Sequence, residues 1–241
     1  MLTLIAGVVP LLIQRSERTR HWLIGAEHFA RGIFLGAGLI HLLPDAQNNF
    51  AHLEVHHHYP YPVTLCALTI FLLKMVETMA IRSWNARGRL KHAWLPWLLI
   101  LVLSLHSMIA GAALGLSMTM ASLLIIFLAI IAHKGAESFA LTVSMLRVGF
   151  DLRRTSTLLL GFAFMTPIGI LVGGSLNLFL QQDLGHMARG IFDAIAAGTF
   201  FYIATSHHLD QGTGDGVAPD FWEIIYFGSG ILTMALIAIW L

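Results

Sequence analysis

Three histidines stand inside apolar segments long enough to cross a bilayer: His41 in GLIHLLPDA, His106 in LSLHSMIAGAALG and His133 in IIAHKGAESFAL. Ionisable groups at that depth are expensive and are read first as functional, with partners to be found. His133 and Glu137 are four residues apart, so a helix puts them on one face, and Lys134 points about 100° away. His41 and Asp45 share that spacing around Pro44. His106 lies one tight hairpin upstream of His133, at a comparable depth. Imidazole nitrogen and carboxylate oxygen together suit zinc and other divalent first-row metals. The helical ligand candidates are therefore His41, His106, His133 and Glu137. A single buried histidine is ordinarily a hydrogen-bonded structural residue, and it is the grouping that argues for metal. Lys134 reads as structural, with Asp193 as its ion partner, because an isolated buried charge is costly. Lys74 and Glu77 read as a local pair or as snorkelling groups.

Other histidines lie at segment ends. His52, His56, His57 and His58 form the tract HLEVHHHYP, which suits weak metal capture or a plain solvated loop. His207 and His208 close the seventh apolar segment and fit an exit site and interfacial polar residues equally well.

The chain that carries these residues has 241 residues, of which 57% are hydrophobic and 11% charged, a composition of polytopic membrane proteins. A single cysteine, Cys66, excludes an internal disulfide framework and a thiolate-cluster metal site. A net charge of +1 gives no nucleic-acid footprint. No small-residue cleavage site follows the first apolar stretch, so it reads as a span rather than a removed leader.

A span needs about 20 mostly apolar residues. Eight segments qualify or come close: Met1–Gln14, Ala30–Ala46, Pro62–Ile81, Leu95–Leu116, Met118–Met145, Ser156–Leu180, Met187–Ser206 and Phe221–Leu241. The fold class expected is an all-α polytopic membrane protein, with residues 1–241 forming one transmembrane domain. Pro167 in MTPIG is expected to break the sixth span. Small-residue runs such as GIFLGAGLI, GAALG and GILVGG let helices approach closely. Ten basic residues (Arg15, Arg18, Arg20, Arg82, Arg87, Arg89, Lys91, Arg147, Arg153 and Arg154) fall in alternate loops, and the loops Gln47–Tyr61 and Gln181–His186 carry none. The basic side is cytoplasmic by the positive-inside rule, which puts both termini outside and fits the plasma (inner) membrane.

The motifs in order resemble those of the ZIP (Zrt/Irt-like protein) family of divalent metal transporters. HLLPDA, HSMIAGAALGL, HKGAESFALTVSMLR, FAFMTPIGILVG and GTFFYIATSHHL are similar to its second-, fourth-, fifth-, sixth- and seventh-helix segments. The resemblance implies eight transmembrane helices in a three-two-three arrangement. The first and last three form inverted repeats around the fourth and fifth, and the chain forms a homodimer. It implies that His106, His133 and Glu137 bind the metal and that His41 helps set selectivity. It makes Asp45 an entrance ligand and places His207 where a seventh-helix glutamate usually sits. Ala110 stands where the family has a fourth-helix glutamate, and Lys134 where binuclear members have an acidic second-site ligand. One transport site is expected, not two. The expected activity is movement of a divalent ion, zinc first among several possible metals, into the cytoplasm by alternating access. The metal is then cargo, and no resident cofactor is expected. The alternative is an intramembrane zinc-dependent hydrolase, ceramidase-like, in which zinc activates a water and Glu137 serves as base.

Overall fold

The structure is a computed structural model, and it describes residues 2–13, 17–52, 59–85, 94–117, 119–179, 182–206 and 221–239. Among the described residues the regular structure is helical: α1 (Leu2–Ile13), α2 (Glu17–Gly36), a π-helical segment (Ala37–Leu42), α3 (Leu43–Ala51), α4 (Tyr61–Asn85), α5 (Leu95–Gly115), α6 (Met120–Arg147), α7 (Leu152–Asn177), α8 (Gln182–Thr205) and α9 (Phe221–Ile237). In hydrocarbon every backbone N–H and C=O must be satisfied within the segment, and the helix does this. Six helical stretches are long and apolar enough to cross a membrane, the first of them Trp22–Ala51 running through α2, the π segment and α3. The short α1 and the 17-residue α9 complete the set.

Two prolines behave differently from each other. Pro44 sits at the start of α3, and the turn before it widens so that the Leu43 N–H bonds to the Gly38 carbonyl, a five-residue return. The π segment thus carries the chain past a residue without an N–H, and His41 lies within it. Pro167, by contrast, lies inside an unbroken α7, so the expected break of the sixth span is not there. A lone proline in a membrane helix is accommodated by small local adjustment when neighbours pack against the freed carbonyl.

Packing explains which helices lie inside. α5 is the most enclosed, with 61% of its apolar window buried, whereas α4 has 11%. The outward side of α4 presents Leu68, Phe71, Leu72, Met75 and Met79, as a lipid-facing surface does. α1 packs on α6, α5 on α7, α2 on α9, α4 on α8, and α8 also on α5 as α2 does on α6. Lipid is as apolar as leucine, so contact here relies on close approach rather than on hydrophobic driving force. At the α5–α7 crossing a Cβ on Gly173 would collide with the backbone carbonyl of Ala112, and one on Gly169 with that of Met108. Gly173→Val is therefore expected to destabilise the fold by about 1–3 kcal/mol, the usual cost of overpacking. Thermal unfolding in detergent checks this, and an unchanged midpoint would contradict the close crossing.

Candidate metal centre

α5 ends at Gly115 and α6 begins at Met120, so the facing positions of the two helices are joined by one short connection. His106 and Ser107 come from α5, and His133, Lys134 and Glu137 from α6. His106, His133 and Glu137 are all buried to 1% exposure or less. Each offers one ligand atom, and these atoms lie within 4.8 Å of one another. Glu137 Oε1 is 3.4 Å from His106 Nε2 and 3.6 Å from His133 Nε2. A tetrahedral zinc with bonds near 2.05 Å has ligand atoms about 3.3 Å apart. The two nitrogen–oxygen spacings need only a few tenths of an ångström to close on such an ion, and the set as a whole, within 4.8 Å, closes by a further approach of the two imidazoles. Among the described residues neither Nε2 has a hydrogen-bond partner, although both are buried. Orphaned buried nitrogens cost free energy unless something occupies their lone pairs, and a metal ion does so.

The second carboxylate oxygen of Glu137 is engaged elsewhere. Lys134 Nζ donates to Oε2 at 3.0 Å and to Ser107 Oγ at 2.6 Å, and Ser107 Oγ donates to the same Oε2 at 3.0 Å. The side chain of Lys134 also lies over the Phe162 ring, with Nζ 4.2 Å from its centroid. The expected partnership of Lys134 with Asp193 is therefore corrected. Glu137 lies one turn along the same helix, and Asp193 instead accepts from Asn49 Nδ2 at 3.2 Å. The ammonium thus meets Oε2, while Oε1 is the oxygen nearest the two imidazoles.

Phe200 of α8 walls the centre. It stacks on His106 with centroids 3.7 Å apart and meets His133 edge-on at 5.0 Å. An apolar wall keeps water from competing for the ligands and fixes the ring planes. Ala110 packs with Leu114 and Ile130 in a small apolar cluster, so α5 contributes no carboxylate here.

The remaining sequence candidates separate by position. His41, 6% exposed, turns Nδ1 toward Asp45 Oδ2 at 3.1 Å and is not a member of the three-residue group. Asn49 Nδ2 bonds both the Asp45 carbonyl, at 3.0 Å, and Asp193. Asn49 Oδ1 meets His186 Nδ1 at 3.2 Å, and the His186 ring lies 4.9 Å from that of His52. A line of polar groups thus runs from the α3–α8 end of the bundle toward His41. His56, His57, His58, His207 and His208 lie outside the described residues. Lys74 and Glu77 form the local pair expected, at 2.9 Å.

Several functional-looking residues carried no signal in the sequence. Ser107 and Thr199 are ordinary span residues, and Asn49 an ordinary loop residue, until their partners are seen. At the other end of α2, Arg147 pairs with Glu27, and Arg31 donates through Nε and Nη2 to the Ala204 carbonyl at 3.2 and 3.1 Å.

A bundle of membrane-crossing helices with an enclosed His–His–Glu centre is the architecture of an intramembrane metal-handling protein. The sequence pattern of the ZIP zinc transporter family matches residues 1–88 and 83–238, and the chain belongs to that family. It is 26% identical to the mouse zinc transporter ZIP2, over all of this chain and 94% of that one. It is 26% identical to human ZIP2 over 87% of this chain and 82% of that one, and 24% identical to zinc transporter 11 of Arabidopsis thaliana over all of this chain and 82% of that one. The family is one of transporters of divalent metal, and the chain is not an enzyme.

Proposed function

We propose that this protein carries divalent metal ions, zinc above all, across the bilayer one at a time through the His106–His133–Glu137 centre. The observation that carries the reading is the pair of buried, unpartnered Nε2 atoms converging on one carboxylate oxygen. Two imidazoles and a carboxylate leave a fourth coordination position open, which a cargo ion needs in order to enter and leave with water or with His41. Asp45, with His41 beside it, is the entrance, and His207 is the exit ligand. Zinc is favoured by the borderline ligand set and by the relatives, which are named as zinc transporters.

The mechanism proposed is alternating access about a fixed site. Its support is the paired packing of the bundle. Exchanging α1, α2–α3 and α4 with α7, α8 and α9, and α5 with α6, turns the α1–α6 contact into α7–α5. The same exchange turns α2–α9 into α8–α4, and α2–α6 into α8–α5. This exchange symmetry supports reading the bundle as two inverted halves flanking a central pair, eight spans in all, and sites at such repeat interfaces serve alternating access. The distribution of basic residues supports both termini lying outside, and the resemblance to the family supports movement into the cytoplasm.

Zinc entry into proteoliposomes loaded with a zinc-sensitive dye tests the reading. Saturable entry by the wild type that is lost in His106→Ala is expected. Absent entry, with zinc retained stoichiometrically after dialysis, would overturn it.

A further inference from the structure

The hydroxyl of Thr199 on α8 lies 2.8 Å from His106 Nδ1 and 2.6 Å from the carbonyl oxygen of Ala196, one turn back. All the groups in this chain of contacts are buried. A threonine hydroxyl has one proton to donate, and a carbonyl only accepts. The 2.6 Å contact gives that proton to Ala196, which leaves the oxygen to meet His106 as an acceptor. The short contact is a hydrogen bond only if Nδ1 carries a hydrogen. A neutral imidazole has a single N–H, so the lone pair is left on Nε2. Nε2 is the nitrogen that faces Glu137 Oε1 at 3.4 Å and has no hydrogen-bond partner.

We propose that Thr199 is the positioning residue of the centre: it locks His106 in the Nδ1–H tautomer and so presents Nε2 to the metal before the metal arrives. The inference rests on the reading of His106 as a ligand. Its contrast lies within the same site, because among the described residues neither ring nitrogen of His133 has a hydrogen-bond partner. His106 is thus the preset ligand, and His133 is the one that chooses its tautomer when the ion binds. Thr199 and Phe200 are neighbours on α8, so one helix fixes both the proton and the ring plane of a ligand carried by α5. Outer partners of this kind, which fix the tautomer of a histidine ligand, typically change metal affinity by about 10–100-fold when removed. A merely structural threonine would change stability alone.

The test uses the full chain in nanodiscs, with zinc as the probe. Nitrogen NMR of the metal-free protein, with the His106 signals assigned by their loss in His106→Asn, reads the tautomer directly. The wild type and Thr199→Ser are expected to show Nδ1–H, and Thr199→Val, which keeps the shape without the hydroxyl, a mixture of tautomers. Competition with a chelating dye should give zinc binding about 10–100-fold weaker in Thr199→Val, with Thr199→Ser close to the wild type. An Nε2–H or doubly protonated His106 in the wild type would overturn the proposal, and that measurement needs no variant to fold. So would wild-type zinc affinity in Thr199→Val alongside loss of binding in His106→Ala. Wild-type affinity in His106→Ala has a different meaning: it overturns the centre as drawn, and the role of Thr199 with it.

Discussion

Glu137→Ala is expected to abolish zinc entry and also to destabilise the protein by about 3–5 kcal/mol, because the side chain has two jobs. Oε1 faces the Nε2 atoms of His106 and His133, and its proposed job is to complete the ligand set. Oε2 balances the ammonium of Lys134, which is 6% exposed. Without the carboxylate, Lys134 keeps Ser107 as its polar contact, and an uncompensated charge is left in the bundle. The single substitution therefore confounds function with folding. Glu137→Leu combined with Lys134→Met separates them, since replacing a whole buried ion pair with apolar groups of similar size is often neutral or stabilising. Ser107 can then turn its hydroxyl to the carbonyl one turn back, as Ser138 and Thr142 do. The double variant should regain the thermal midpoint of the wild type and still bind no zinc. Wild-type zinc affinity in the double variant would show that Glu137 is not a ligand. Zinc entry through the single variant would remove the centre from the transport path.

The core of this site was legible because helix periodicity is strict. A spacing of four from His133 to Glu137 can mean only one face of a helix, and a hairpin of a few residues must bring His106 alongside. The errors came where several partners competed. Lys134 was matched to Asp193 by charge alone, yet a carboxylate three residues on is reached by a rotamer change, and Asn49 had already claimed Asp193. The π segment was hidden because Pro44 requires some relief but does not say which kind. The second span was expected to begin at Ala30, whereas α2 begins at Glu17. Its charged first half looked too polar for a span, but the partners that settle its charges come from distant helices. Glu27 pairs with Arg147 of α6, Arg31 with Ala204 of α8, and His28 Nε2 lies 3.6 Å from Glu223 of α9. Thr199 was invisible for the same reason. A proton count needs both neighbours, and they lie on another helix and one turn back.

Lys134→Asp is expected to raise the zinc stoichiometry from one ion per chain to two. In the native protein the ammonium occupies the open side of Glu137, 3.0 Å from Oε2, and Ser107 is drawn into the same contact. Glu137 and Lys134 cancel, so a bound dication raises the charge of the centre to about +2 in a medium that solvates charge poorly. On the proposed reading such a centre holds its cargo loosely, and the ammonium disfavours a second ion beside it. Aspartate is shorter and negative. It leaves a gap bounded by its own carboxylate, Glu137 Oε2 and Ser107 Oγ, an all-oxygen set that a divalent cation can take. Without metal the two adjacent carboxylates repel, so the variant should be less stable than the wild type. With zinc it should gain more, because two ions then bind the folded state and not the unfolded chain. Metal analysis after equilibrium dialysis reads the stoichiometry, and thermal unfolding with and without zinc reads the coupling. Adding Ala110→Glu on α5, one turn from His106, should tighten the second ion further. A stoichiometry that stays at one in both variants would mean that Lys134 does not stand in the place of a cation, and that the single site is set by the shape of the cavity instead.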